Sequence, residues 1–84
     1  MKIALDYDGT YTEDTELWNR FIELCRDKHE VICVTMRYPT EEVDIPIPII
    51  YTSRRAKKIY CSAMGIHFDI WIDDSPEWLF KNGD

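Results

Sequence analysis

Apolar residues fall into two kinds of pattern along this chain. Short continuous runs stand at Ile3-Ala4-Leu5, Val31-Ile32-Cys33-Val34, Ile47 to Tyr51 and Ile70-Trp71-Ile72. Runs of this length suit strands covered on both faces, as in a parallel sheet. They predict strands at Lys2 to Asp6, Val31 to Val34 ending in Thr35, Ile47 to Tyr51, and Asp69 to Ile72. Elsewhere apolar residues recur every three or four positions, the spacing of one helix face. Leu17, Trp18, Phe21, Leu24 and Cys25 predict a helix from about Glu13 to Lys28. Ala56, Ile59, Tyr60, Ala63 and Met64 predict a second, from about Arg54 to Met64.

Punctuation residues support these elements. Thr12 or Asp14 can cap the first helix, and Glu13, Asp14 and Glu16 put negative charge at its positive end. Gly65 is a stop for the second. Ser75-Pro76-Glu77 opens a short helix through Phe80, with proline at a tolerated first-turn position. Met36 to Asp44 is a polar loop. Pro46 and Pro48 cannot donate to a ladder, so the third strand belongs at a sheet edge. Strands alternating with helices predict one α/β domain over residues 1–84, Rossmann-like, with a four-stranded parallel sheet as the middle of three layers.

Composition narrows the possibilities. A chain of 84 residues makes one small domain, burying little more than ~60% of its unfolded surface. A net charge of −6 argues against a general nucleic-acid binder, while leaving a nucleotide substrate open. No apolar run approaches the ~20 residues of a membrane span, and Lys2 leads into a strand rather than a secretory leader. Cys25, Cys33 and Cys61 are widely spaced in apolar contexts and are expected to be buried free thiols, which suits a reducing, cytoplasmic setting. His29 and His67 are expected at the surface; Trp18, Trp71 and Trp78 are expected in the core, Trp78 near its rim.

The candidate chemistry starts at Asp6-Tyr7-Asp8-Gly9-Thr10, where the first strand gives way to a turn. Residues two apart in extended backbone point to one face, so Asp6 and Asp8 could converge on one ligand. Thr35 and Asp73-Asp74 also stand at the carboxyl ends of strands, the rim where open α/β sheets bind ligands.

These four elements, in order, resemble the haloacid dehalogenase (HAD) superfamily, made mostly of magnesium-dependent phosphatases. Asp6-Tyr7-Asp8-Gly9-Thr10 matches its first motif, Val31 to Thr35 its second, Lys57 or Lys58 its third, and Ile70-Trp71-Ile72-Asp73-Asp74 its fourth. The resemblance spans Ile3 to Trp78. With the proline-marked edge strand, it implies the strand order 4-1-2-3 and a minimal HAD-like core. There is no room for a cap domain after Asp8 or between Thr35 and Lys57.

The chemistry implied is hydrolysis of a phosphate monoester. A divalent cation removes the repulsion between the anionic ester and a carboxylate nucleophile. Mg²⁺ favours a few carboxylates plus water and phosphate oxygens. The expected metal ligands are Asp6, Asp8 through its main-chain carbonyl, Asp73 and Asp74. Asp6 would form an aspartyl-phosphate, and Asp8 would serve as general acid and base. Thr35 would bind a phosphoryl oxygen, and a lysine would balance the remaining charge. Helical phase favours Lys57, which borders the apolar stripe, over Lys58, which points to solvent. Gly9, Thr10 and Arg37 are the expected substrate contacts; Arg54 and Arg55 could also reach phosphate. Asp74 could instead cap the last helix. The partner is a phosphorylated substrate of unspecified kind. Since no cap covers the site, a homo-oligomer or a bulky substrate could supply cover. The alternatives are a non-catalytic phosphate- or nucleotide-binding module and a receiver-like phosphoacceptor.

Overall fold

The computed structural model of the chain describes residues 1–84. Its elements are β1 (Lys2–Leu5), α1 (Thr15–Cys25), β2 (Glu30–Thr35), β3 (Ile49–Tyr51), α2 (Lys57–Ala63) and β4 (Ile70–Ile72). Short 3₁₀ turns lie at Tyr11–Glu13 and Pro76–Leu79. The four strands form one sheet in the order β3-β2-β1-β4, which is the expected order counted from the other edge, and every pairing is parallel. Leu5 lies opposite both Cys33 and Ile72, and Thr35 opposite Tyr51. This register brings the carboxyl ends of the strands to one rim. At the β3 edge Pro48 gives β2 its carbonyl, accepting from Cys33 N at 2.9 Å, where no amide is needed.

Strand alternation divides the core into two layers. Ile3, Leu5 and Val31 pack with Tyr11, Ile22 and Cys25 on the α1 side. Ala4 and Val34 pack with Cys61 on the α2 side, backed by Tyr60, Phe68 and Trp71. No helix bridges β2 and β3. From Glu41 to Pro48 the odd-numbered residues are half-buried and the even-numbered ones exposed. Ile45 and Ile47 thereby cover the α1 side of the sheet, a task that a crossover helix usually performs.

Both helices are shorter than their patterns predict. α1 begins at Thr15, because Asp14 is the cap: its Oδ1 accepts from Leu17 N at 3.0 Å. The stripe also differs. Leu17 and Leu24 are exposed, and Ile22 joins Cys25 as a buried contact, with Trp18 and Phe21 half-buried. α2 begins at Lys57 rather than Arg54, because Ser53 and Arg54 have φ of 53° and 68°, outside the helical region. Ile59, Ala63 and Met64 face solvent, while Ala56, Lys57 and Cys61 are buried. Gly65 ends α2 as expected. It has φ of 77°; Ile66 N donates to Cys61 O at 2.8 Å and Gly65 N to Ser62 O at 3.0 Å, a Schellman stop.

The three thiols are free and buried, as expected, and lie in α1, β2 and α2. Burial pushes the Cys33 thiol up to about 12 and raises that of Cys61. No helix is long and apolar enough to cross a membrane.

Candidate functional site

At the carboxyl end of the sheet, β1 hands on to Asp6, β2 ends in Thr35, and β4 hands on to Asp73-Asp74. Asp6 N donates to Ile72 O at 3.0 Å, continuing the central pairing by one residue. The Asp6 carboxylate is nearly sealed from solvent, and so is the Lys57 ammonium. Lys57 Nζ lies 2.5 Å from Asp6 Oδ1 and 2.7 Å from Asp73 Oδ2. The first residue of α2 therefore reaches the strand ends, as the helical phase suggests. Lys58 is exposed, with its Nζ 5.7 Å from the Phe80 ring centre.

Asp6, Asp73 and Asp74 each offer a carboxylate oxygen, and the three atoms lie within 4.8 Å of one another. Thr10 ties two of these acids together. Its Oγ1 is 3.0 Å from both Asp6 Oδ2 and Asp74 Oδ1, and it accepts from Asp74 N at 3.2 Å. The single hydroxyl proton can serve only one carboxylate at a time. Gly9 lets Asp74 come close: its φ is 81°, and a Cβ there would meet Asp74 Oδ2 at 2.5 Å. Asp73 Oδ1 accepts from Ser75 N at 3.0 Å. Asp74, expected as a possible helix cap, faces Thr10 and the Ser75 hydroxyl instead, and the 3₁₀ turn at Pro76 has no side-chain cap.

The electrostatics follow from burial and pairing. Burial pushes Asp6 up to about 7, against the opposing pull of Lys57. Burial pulls Lys57 down, but Asp6 and Asp73 outweigh it and hold the ammonium above the usual lysine range. Hydrogen bonding with Asp6, then with Thr10 and Ser75, holds Asp74 below the usual carboxylate range.

Asp8 lies differently. Its carboxylate is not among the three converging acids. It takes two hydrogen bonds from Arg37, Nε to Oδ2 at 2.9 Å and Nη2 to Oδ1 at 2.8 Å. That guanidinium holds the carboxyl below its ordinary value. Thr35 Oγ1 accepts from Arg37 N at 3.2 Å, leaving its own O–H free to donate.

A cleft of about 190 Å³ opens over these groups. Asp6, Asp8, Thr35, Arg37, Lys57, Asp73 and Asp74 line it, with Met36, Arg54, Ser75 and Trp78 completing the wall. Gly9 and Thr10, expected as substrate contacts, stand outside this lining, on the far side of Asp74. Arg55 is exposed and is not part of the wall.

No family model, curated protein or solved structure matches the chain. What can be said of the site therefore rests on its own chemistry.

Two contributions escape sequence reasoning. Thr52 is fully buried. Its N donates to Thr35 O at 2.8 Å and its Oγ1 to Arg55 O at 2.8 Å, which fixes the turn into α2. Its place directly after an apolar strand, like that of Thr35, is the signal that could have found it. The left-handed pair Ser53-Arg54 carries no such signal, since neither residue favours positive φ. Contacts hold it there. Ser53 N donates to Arg37 O at 3.3 Å, Arg54 N to Met36 O at 2.8 Å, and Gly83 N to Arg54 O at 2.7 Å.

Proposed function

We propose that this protein is a Mg²⁺-dependent phosphomonoester hydrolase acting through Asp6, a minimal, capless relative of the haloacid dehalogenase superfamily. The observation that carries this reading is the buried set Asp6, Lys57 and Asp73 at the strand ends, with Asp74 alongside. Their chemistry suits Mg²⁺. Oxygens of Asp6, Asp73 and Asp74 converge, Thr10 orients two of these acids, and the cleft leaves room for the waters the ion retains. These three side chains would hold it, with the Asp8 main-chain carbonyl. When bound, it supplies charge neutralisation at the phosphoryl oxygens.

The chain's own groups then divide the work. Asp6 attacks phosphorus, forming a carboxylate–phosphorus bond as the ester P–O bond breaks. Asp8, ionised while Arg37 holds it, takes a proton from solvent once it leaves that pair and gives it to the departing alkoxide. It later takes a proton from water as that water displaces Asp6 and releases phosphate. Lys57 favours the ionised nucleophile. Thr35 Oγ1 donates to a phosphoryl oxygen, and Arg37 offers a second, charged donor pair. Cover for the open cleft would come from a large substrate or a second subunit.

The test is phosphate release from p-nitrophenyl phosphate with Mg²⁺ or with EDTA. Release in Mg²⁺, silence in EDTA and silence of a folded Asp6→Asn protein are expected. Undiminished release by Asp6→Asn would remove Asp6 as nucleophile. One observation favours a non-catalytic phosphate-binding module: Asp8 is already engaged by Arg37. Phosphate binding without turnover of any ester would establish that alternative.

A further inference from the structure

The Asp8–Arg37 pair has the parallel, two-point geometry that a guanidinium offers to carboxylate and phosphate alike. Its side chains are 56% and 31% exposed, so water can replace either partner at modest cost. The main chain of Arg37 is anchored independently. Its N donates to Thr35 Oγ1 at 3.2 Å and its O accepts from Ser53 N at 3.3 Å. Beyond Asp8, the guanidinium has one hydrogen bond, from Nη1 to Glu42 O at 3.1 Å, and lies 5.4 Å from the Tyr7 ring centre. Arg37 and Asp8 line the same cleft as Asp6 and Thr35.

We propose that Asp8 is a built-in stand-in for substrate phosphate. Its carboxylate fills the Arg37 fork in the free protein, and an arriving phosphoryl group takes over the fork and releases Asp8. The exchange needs only side-chain rotation, because the backbone around Arg37 stays anchored. It couples two events: Asp8 becomes free to face the leaving group only when phosphate is seated. The ligand class is a phosphoryl dianion, which presents the same paired oxygens as the carboxylate it displaces. This inference rests on the phosphoryl-transfer reading of the cleft.

Competition for one fork has a signature at equilibrium. Inorganic phosphate binding is measured by calorimetry in Mg²⁺ for the wild type, Asp8→Ala, Arg37→Ala and the double variant. Asp8→Ala is expected to bind phosphate about fivefold more tightly than the wild type, the worth of a well-formed exposed pair. In the Arg37→Ala background, removing Asp8 should tighten binding by a clearly smaller factor, because only the general loss of one negative charge remains there; that part is common to both arms and cancels in their ratio. Asp8→Asn, which keeps the side-chain shape, repeats the test should Asp8→Ala melt early. Equal factors in both backgrounds, or weaker binding by Asp8→Ala, would overturn the exchange while leaving the hydrolase reading intact. No phosphate binding by folded wild type in Mg²⁺ would overturn both.

Discussion

Lys57 and Arg37 each hold one carboxylate of the same Asp-x-Asp run, in opposite surroundings. The Lys57–Asp6 side chains are 5% and 7% exposed, and Lys57 also grips Asp73. Arg37 and Asp8 meet on the cleft wall with both side chains partly open to water. A single residue, Tyr7, separates these fates in the sequence. Asp6 directly follows the buried run Ile3-Ala4-Leu5, whereas Asp8 lies in the turn beyond it. A buried pair is costly to break, because the abandoned charge has nowhere to go. An exposed pair is nearly neutral and exchanges partners readily. The deeper pair can thus fix a nucleophile in place, and the outer pair can yield to a ligand.

The strongest way to break this contrast is through turnover. Asp6→Asn should lower phosphomonoester hydrolysis by at least about a thousandfold, as expected for loss of a covalent nucleophile, with the circular dichroism spectrum unchanged. Lys57→Ala should also cut turnover heavily, and Lys58→Ala should leave it intact. Comparable losses at the two lysines would disprove the assignment of Lys57.

Stability gives the next largest difference. Lys57→Ala leaves Asp6 and Asp73 buried without their cation and should cost about 3–5 kcal/mol in urea unfolding. Arg37→Ala should cost less than about 1 kcal/mol. Similar costs would mean that burial does not separate the two pairs.

The pH dependence sharpens the same point. Asp6 holds its proton up to about 7 in the metal-free fold, against an ordinary value of 3.8. Between these values the folded state binds more protons than the unfolded chain, so this group's contribution to stability falls as pH rises. Asp8 and Asp74 are held low and act oppositely, their contribution being lost as pH falls below the ordinary carboxylate range. In EDTA, Asp6→Asn should therefore gain stability relative to wild type as pH rises from about 4 to about 7, the interval between the ordinary and the folded value of Asp6. Mg²⁺ should raise the wild-type Tm most at the higher pH, and Asp73→Ala should blunt that rise. A pH-independent difference between wild type and Asp6→Asn would refute the burial of Asp6 as an acid. The smallest effect concerns the turn that anchors Arg37. Ser53→Gly should stabilise by less than about 1 kcal/mol, because relief at positive φ slightly exceeds the entropy cost of glycine.

The parallel sheet and its rim were legible because continuous apolar runs mark doubly covered strands, and each run ends in a polar group. The resemblance offered Lys57 or Lys58, and helical phase chose Lys57 between them. The helix limits were not, since Asp14 and the left-handed Ser53-Arg54 pair settle them through capping and tertiary bonds. The extended cover at Ile45 and Ile47 was also hidden: Pro46 and Pro48 mark the stretch as loop or edge rather than as core. The roles of Gly9 and Thr10 as packing and orienting partners of Asp74 depend on a strand some sixty residues away, 64 positions in the case of Thr10. No local pattern records that distance. The same holds for the capture of Asp8 by Arg37.

The placement of the thiols gives the fold its own set of probes. Cys25, Cys33 and Cys61 report on separate layers: first helix, sheet and second helix. Cys33 and Cys61 are both fully enclosed. Neutral, enclosed sulfur reacts with an alkylating reagent only after its surroundings open. The order in which the three sulfurs are labelled under native conditions would therefore rank the opening of the layers. Cys33, beside β1 at the centre of the sheet, marks the event that also dismantles the seat of Asp6.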